Sequence, residues 1–530
     1  MEKPNEQKGA FMYFIKSIEF VGNKLPHPFW LFVILSLTVL FLSSLLAGTS
    51  VTYMAAKAGE APSETKVAVV NLLSYDAMRT FLSNFVNTYV RFQPLGLVLT
   101  MMLGIGLVEQ TGMISALMRK TILGAPGWLV TTVVAIVGIN ANLASDAGII
   151  FTPVIAAAVF KALGRNPWVG IAAGYAAANG GFTANFFVAG TDALLAGITD
   201  SVAKGVPYIP PDAPTHPLIN WYFIFGSTFI LTFLTVYVTE KYTIKIFGDN
   251  EGIRDEEELK KHAVTPAENR GLLCSLIALV LYITLLVYLT YPEGSFFRNA
   301  KNGSILPSSP LMSSIMPILF FLFFSVGIAY GYGAGVIKKG EDIPKLMSKG
   351  LAGSISFIVV VLPASMFVEL FRMSRFDTIL SVNGAELLEA WKLNGVPLLI
   401  TFILVVTFLN LFMSSGSAKW LILAPIFVPM FAQVGFSPAL TQAAYRVGDS
   451  CTNNLTPLSY YVPVMLGLFE QYKKDEKTEV GIGTLVSVMT PYSIFFIMGF
   501  TAYLVVWYLL GLPLGPGVEL LLPKAAGMAG

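Results

Sequence analysis

The stretch MSSGSAKWLILAP, Met413 to Pro425, sets Ser-Ser-Gly-Ser and a lysine between two apolar runs, TFILVVTFLNLF before it and IFVPMF after it. A second stretch, ANLASDAGIIFTP, Ala141 to Pro153, does the same with an aspartate. Irregular backbone inside hydrocarbon is tolerated only where it faces protein or water, because each unpaired peptide group there is costly. The two stretches therefore read as hairpin tips that turn back at mid-membrane. Gly permits the turn, and the hydroxyls and amides cap helix ends or hold an ion.

The rest of the chain supplies the membrane. Of 530 residues, 55% are hydrophobic and 12% charged, and the mean hydropathy is +0.68. A soluble domain carries about 25% charge. Apolar runs near the roughly 18–20 residues that cross a bilayer are Pro28–Ala47, Leu95–Gly112, Leu218–Glu240, Gly271–Tyr291, Leu311–Tyr332, Leu351–Arg372 and Leu485–Leu510. Two longer regions, Trp128 to about Leu195 and Val396 to about Phe469, are broken by Gly, Asn, Ser and Pro. The composition predicts an all-α polytopic membrane protein. The net charge of +2 says nothing about nucleic acid, but no basic block exists that could hold phosphates, so no nucleic-acid partner is expected. Cys274 and Cys451 lie in apolar segments and give neither a disulfide framework nor a metal spacing. His27, His216 and His262 lie near segment ends or in a polar loop, so no zinc or His-based catalytic site is expected, and no cofactor. No cleavable signal stands out.

Basic residues orient the chain by the positive-inside rule. Lys3, Lys8, Lys16 and Lys24 place the N-terminus in the cytoplasm. Arg119, Lys120, Lys161, Arg165, Lys241, Lys245, Lys260, Lys261, Lys338, Lys339, Lys345, Lys349, Lys473, Lys474 and Lys477 belong on the same side. One arrangement satisfies them all. Each broken region holds a re-entrant hairpin followed by one full crossing. Hairpin 1, about 128–163, opens to the cytoplasm, and the crossing at about 168–195 leads outward. Five crossings later hairpin 2, about 396–435, enters from outside. The C-terminus ends outside after nine crossings. SDAGIIFTPVI (Ser145–Ile155) also lines up with SAKWLILAPIF (Ser417–Phe427), and KALGRNP (Lys161–Pro167) with AQVGFSP (Ala432–Pro438). Internal similarity with opposed entry is an inverted repeat, a mark of secondary transporters. The expected division is 1–94 for the tail, first span and outer loop, 95–217 for the first repeat, 218–350 for scaffold and a charged connector, 351–483 for the second repeat and 484–530 for the last span. The outer loop, Gly48 to Pro94, has room for a short amphipathic helix.

Ionisable residues inside a membrane are functional candidates by default. They are Asp146, Asp192, Lys419, and Arg446 with Asp449, three residues apart on one helical face. ANGGFTANFF (Ala178–Phe187) and AAYRVGDSCTNNLTPLS (Ala443–Ser459) break the crossings after the hairpins.

GNKLPHPFWLF, TANFF with GTDALLAG, SSGSAKWLILAPIFVPMF, AAYRVGDSCTNNLTP and the terminal GLPLGPG together resemble the AbgT family of p-aminobenzoyl-glutamate transporters, over nearly the whole chain. The resemblance implies a homodimer of nine-span protomers with two opposed hairpins in a bacterial cytoplasmic (inner) membrane. It implies uptake of p-aminobenzoyl-glutamate, some members being associated instead with export of sulfonamide antimetabolites. The family's functional positions fall on Asp192, Ser417, Trp420, Pro438, Arg446, Asp449 and Pro457. Lys419 departs from the family pattern, where a neutral residue such as Gln or Ile stands.

The chemistry suits an aromatic dicarboxylate. Arg446 clamps a carboxylate, Trp420 stacks on a flat ring, and Ser417 with its helix N-terminus donates hydrogen bonds. Lys419, facing the cavity, offsets a second negative charge. Asn142, Ser145, Asn185, Asn453 and Asn454 are candidate sodium ligands by hard-oxygen preference, and Asp146 and Asp449 carry protons in the alternative, so the coupling ion stays open between sodium and proton. Gly416 and Pro438 are candidate hinges. Efflux of a drug is the nearest rival function. A passive channel lacks the pore-lining rings it needs. An intramembrane protease fails because Tyr75-Asp76 falls in a polar loop and no histidine lies in the core.

Overall fold

The computed structural model describes residues 26–55, 63–206, 209–210, 213–249, 262–306, 309–352, 355–413, 415–456, 459, 461–473 and 480–522, and of residues 54, 55, 63 and 144–146 the backbone only. Pro457, the side chains of Ser145 and Asp146, the lysines before residue 26 and Lys260, Lys261, Lys474, Lys477 and Lys524 lie outside the described residues.

In chain order the helices are α1 (Pro28–Leu45), α2 (Tyr75–Val90), α3 (Gln93–Gln110), α4 (Met113–Leu123), α5 (Val130–Ile139), α6 (Ser145–Ala162), α7 (Pro167–Tyr175), α8 (Gly190–Ala203) and α9 (Trp221–Val238). They continue as α10 (Pro266–Tyr288), α11 (Ile315–Ala334), α12 (Asp342–Ala352), α13 (Ile355–Met373), α14 (Phe376–Ala390), α15 (Gly395–Asn410), α16 (Gly416–Gln433), α17 (Pro438–Cys451), α18 (Val462–Gln471) and α19 (Ile482–Leu509). The seven apolar runs read from the sequence coincide with α1, α3, α9, α10, α11, α13 and α19, each within a candidate membrane span. The broken pairs α7/α8 and α17/α18 supply the other crossings.

Both hairpins close as antiparallel arms. In the first, a Cβ at Gly127 would lie 3.9 Å from Leu163, one at Gly138 3.3 Å from Thr152 Cγ2, and one at Gly148 1.9 Å from the Ala141 carbonyl oxygen. These pairs are all centred near residue 145. In the second, Phe402 and Phe427 pack with ring centroids 4.7 Å apart, and Lys419 Nζ reaches Asn410 Oδ1. Both pairs are centred between residues 414 and 415.

The repeat extends well beyond the tips. Each hairpin ends on a left-handed glycine, Gly164 (φ 74°) or Gly435 (φ 90°). There a backbone N–H reaches five residues back, Arg165 N to Phe160 O at 2.8 Å and Phe436 N to Phe431 O at 2.9 Å. Such a glycine closes a helix without a Cβ penalty. The next helix starts alike in both. Asn166 accepts from Trp168 N at 3.0 Å and Ser437 from Leu440 N at 3.2 Å, each followed by proline at the first helical position. The helix leading into each hairpin bends sharply, by 115° between α4 and Gly127–Leu143 and by 118° between α14 and α15.

Helix α9 shows that the hairpins come from opposite faces. Its start lies at the base of hairpin 2. Asn220 Nδ2 donates to Ala439 O at 2.8 Å, Tyr222 N to Leu514 O at 3.0 Å, and the 514–522 segment binds the hairpin base through Ser437 N to Leu520 O at 3.0 Å. Its far end lies at the base of hairpin 1. Thr131 Oγ1 donates to Glu240 Oε1 at 2.7 Å, and Arg165 pairs with Glu240 at 3.2 Å and Asp249 at 2.8 Å. Eighteen helical residues separate these ends, about 27 Å at 1.5 Å per residue.

The outer loop differs from expectation. It contains a β-hairpin, β1 (Ser50–Ala55) antiparallel to β2 (Ser63–Ala68), and α2 runs for 16 residues rather than as a short helix. Val51, Thr52, Tyr53, Thr65 and Val67 are good strand formers.

Candidate substrate and ion site

A cavity of about 300 Å³ lies between the two repeats, at the lower end of ligand pockets, roughly 300–1,000 Å³. Hairpin 1 contributes Ile149. The first broken crossing contributes Asn179, Phe182, Thr183, Thr191, Leu194 and Leu195. The tip of hairpin 2 contributes Ser415, Gly416 and Ser417, and the second broken crossing Asp449, Asn453, Thr456, Ser459 and Tyr461. Two half-helix N-termini, those of α8 and α16, open onto this space through Thr191 and Ser415–Ser417. Helix N-termini favour an anion through their dipoles and first-turn N–H groups, although Ser415 already accepts from Ala418 N and Asp192 from Ala189 N.

The breaks are joined across the repeats. Asn179 Nδ2 donates to Asn453 O at 3.1 Å and Asn453 Nδ2 to Asn179 O at 3.2 Å, a reciprocal pair. Thr183 Oγ1 contacts Ser450 Oγ at 2.9 Å. Neither Asn179 nor Thr183 was singled out individually from the sequence. For Thr183 the signal lies in the parallel between TAN (Thr183–Asn185) and TNN (Thr452–Asn454); for Asn179 it lies in the ANGG break.

The ionisable candidates form two buried pairs. Arg446 pairs with Asp192, whose Oδ2 also accepts from Ala189 N at 2.6 Å and Asn185 Nδ2 at 3.4 Å. Lys419 Nζ donates to Asp449 Oδ1 at 2.6 Å and to Asn410 Oδ1. Asp449 and Ser417 line the cavity; Asp192, Lys419, Trp420 and Arg446 do not. Trp420 stacks on Tyr445 with centroids 4.5 Å apart and donates from Nε1 to Thr199 Oγ1 at 3.0 Å. In this conformation its ring and the Lys419 ammonium are therefore turned to protein partners rather than to the cavity. Gly416 sits at the tip with its Cα against Asp449, while Pro438 opens α17 outside the cavity lining.

Of the sodium candidates, Asn142 belongs to hairpin 1, Asn185 to the first broken crossing, and Asn453 and Asn454 to the second, where Asn453 Oδ1 accepts from Asn410 of hairpin 2 at 2.8 Å. Asn142 Nδ2 donates to Phe182 O at 2.7 Å and Ala184 O at 3.2 Å, leaving its buried Oδ1 without a partner among the described residues. Asn185 Oδ1 and both amide atoms of Asn454 are in the same state. Buried orphan oxygens of this kind suit a hard cation. Among the described residues no cluster of His, Cys, Asp and Glu could hold a transition metal.

The model of the "AbgT putative transporter family" matches residues 13–522. The chain belongs to the AbgT transporter family. It is 34% identical over 501 residues to the p-aminobenzoyl-glutamate transport protein of Escherichia coli K12, covering 94% of this chain and 96% of that one. Among solved AbgT-like structures, the YdaH transporter of Alcanivorax borkumensis superposes with a TM-score of 0.83 at 33% identity, covering 93% of this chain and 100% of YdaH. Neisseria gonorrhoeae MtrF, described as illuminating a class of antimetabolite efflux pumps, superposes with a TM-score of 0.87 at 35% identity, covering 96% of this chain and 100% of MtrF. This AbgT chain is thus a membrane transporter of small molecules and not an enzyme.

Proposed function

We propose that the protein is an ion-coupled secondary carrier for p-aminobenzoyl-glutamate or a similar aromatic carboxylate. The observation that carries this reading is the cavity onto which two helix N-termini open from opposed repeats. Two such ends match the two carboxylates of an acylated glutamate, and Leu194, Leu195, Phe182 and Tyr461 give the apolar wall an aromatic ring needs. Sodium at the orphan amide oxygens, or a proton at a carboxylate, would tie occupancy of the cavity to a gradient. The working form is a homodimer with its N-terminus in the cytoplasm. The repeats, 95–217 and 351–483, carry the site against a scaffold of 1–94, 218–350 and 484–530. Export is the second reading, favoured by the likeness to MtrF.

Proteoliposomes loaded without substrate test this. Labelled p-aminobenzoyl-glutamate should accumulate above its external concentration when a sodium or proton gradient is imposed. Collapsing the gradient should return it to equilibrium. Equal entry with and without either gradient would contradict coupling, and, in vesicles preloaded with substrate, gradient-driven flux only outward would favour export.

A further inference from the structure

The four buried charges between the repeats cancel in two pairs, and all four residues are at most 3% exposed. The Lys419–Asp449 pair has the surroundings of an ion site. Asp449 lines the cavity, and its Oδ1 also accepts from the Tyr445 hydroxyl at 3.1 Å. Asn410 Oδ1 sits on the other side of the ammonium, and its own Nδ2 is held by Asn453 Oδ1 at 2.8 Å and Thr452 Oγ1 at 3.1 Å. A Cβ at Gly416 would stand 2.7 Å from Asp449 Oδ2, so the hairpin backbone is folded directly onto the carboxylate. A carboxylate oxygen and a fixed amide oxygen, at a helix break beside a substrate cavity, are donors that a hard cation takes.

We infer that Lys419 is a tethered cation filling a cation site at the tip of hairpin 2, built from Asp449 Oδ1 and Asn410 Oδ1, so that no free sodium ion binds there. The charge count supports this. Asp449 already has its counter-charge, and a second cation on it would sit beside an ammonium in a low-dielectric site. A tethered cation cannot dissociate, so this site draws nothing from a sodium gradient. Sodium coupling is then confined to the orphan amide oxygens of Asn142, Asn185 and Asn454. That consequence rests on the carrier reading; the occupancy of the site does not, and it is tested without transport.

Full-length protein is purified in detergent, and its thermal unfolding is followed in sodium chloride and in choline chloride at equal ionic strength. Removing the ammonium leaves Asp449 buried and unpaired, and a small cation should then fill the gap. Lys419→Ala and Lys419→Gln should gain a saturable, sodium-specific rise of several degrees in unfolding temperature, over and above any response of the wild type. The gain should vanish when Asp449→Asn is added. Variants that are folded only in sodium support the inference in the same way. A sodium response no larger than that of the wild type would overturn it. So would a gain that survives Asp449→Asn, or failure of both single variants to fold in either salt.

Discussion

Arg446→Ala should abolish substrate transport and destabilise the protein by about 3–5 kcal/mol, the cost of leaving one partner of a buried ion pair alone. The reason is local. Arg446 and Asp192 are each 1% exposed and come from different repeats, so the pair ties α17 to the start of α8. Without the guanidinium, Asp192 keeps only its two nitrogen donors, Ala189 N and Asn185 Nδ2. Neutralising both members, Arg446→Met with Asp192→Asn, should recover most of the stability while restoring no transport, because the amide keeps the helix cap but the charged tie between the two broken crossings behind the cavity is lost. Thermal unfolding and vesicle uptake separate the two effects. An Arg446→Ala protein as stable as the wild type and equally active would remove this pair from both roles.

Gly148→Ala should be the most damaging substitution at a glycine in either hairpin. Its Cβ would stand 1.9 Å from the Ala141 carbonyl oxygen, a backbone atom that cannot swing aside as a side chain would. Overpacking of this kind costs about 1–3 kcal/mol, and a backbone clash lies at the top of that range or above it. Opening the tip would also shift Asn142 off the Phe182 and Ala184 carbonyls. Gly127→Ala, at the open end of the same hairpin with its nearest neighbour 3.9 Å away, should be close to neutral. Comparable unfolding temperatures for the two variants would contradict the tip geometry.

Much of the fold was legible because a membrane simplifies the code. Apolar runs of spanning length mark helices almost unambiguously, and Gly, Pro and Asn inside them mark breaks. The hairpin bounds, about 128–163 and 396–435, therefore fall within a few residues of the observed arms. The helices leading into the hairpins, α4 and α14, were not assigned. They are too short and too mixed in polarity to be read as crossings, and their turns are set by Gly112 and Arg375, both left-handed. The β-hairpin of the outer loop is not legible in the sequence because its second strand, SETKVA, is mostly polar and lacks an apolar alternation. At the site, the sequence identified the charged residues but not who pairs with whom. Arg446 and Asp449 share a helix face, yet each finds its partner on another element. Asp192 is 254 positions from Arg446, and Lys419 is 30 from Asp449. Pairing over such distances is fixed by packing of the repeats, which no local spacing encodes. The same holds for Trp420, whose ring was expected against substrate and lies on Tyr445.

The central claim is that the two hairpins enter from opposite faces and meet at one cavity. Single cysteines at the two open ends test it most directly. They are Gly127→Cys for hairpin 1 and Asn394→Cys for hairpin 2, each in a chain whose Cys274 and Cys451 are replaced. A membrane-impermeant maleimide added to intact cells should label the cysteine at 394 and leave the one at 127 unlabelled until the membrane is permeabilised. Labelling of both positions from the same side would contradict the account.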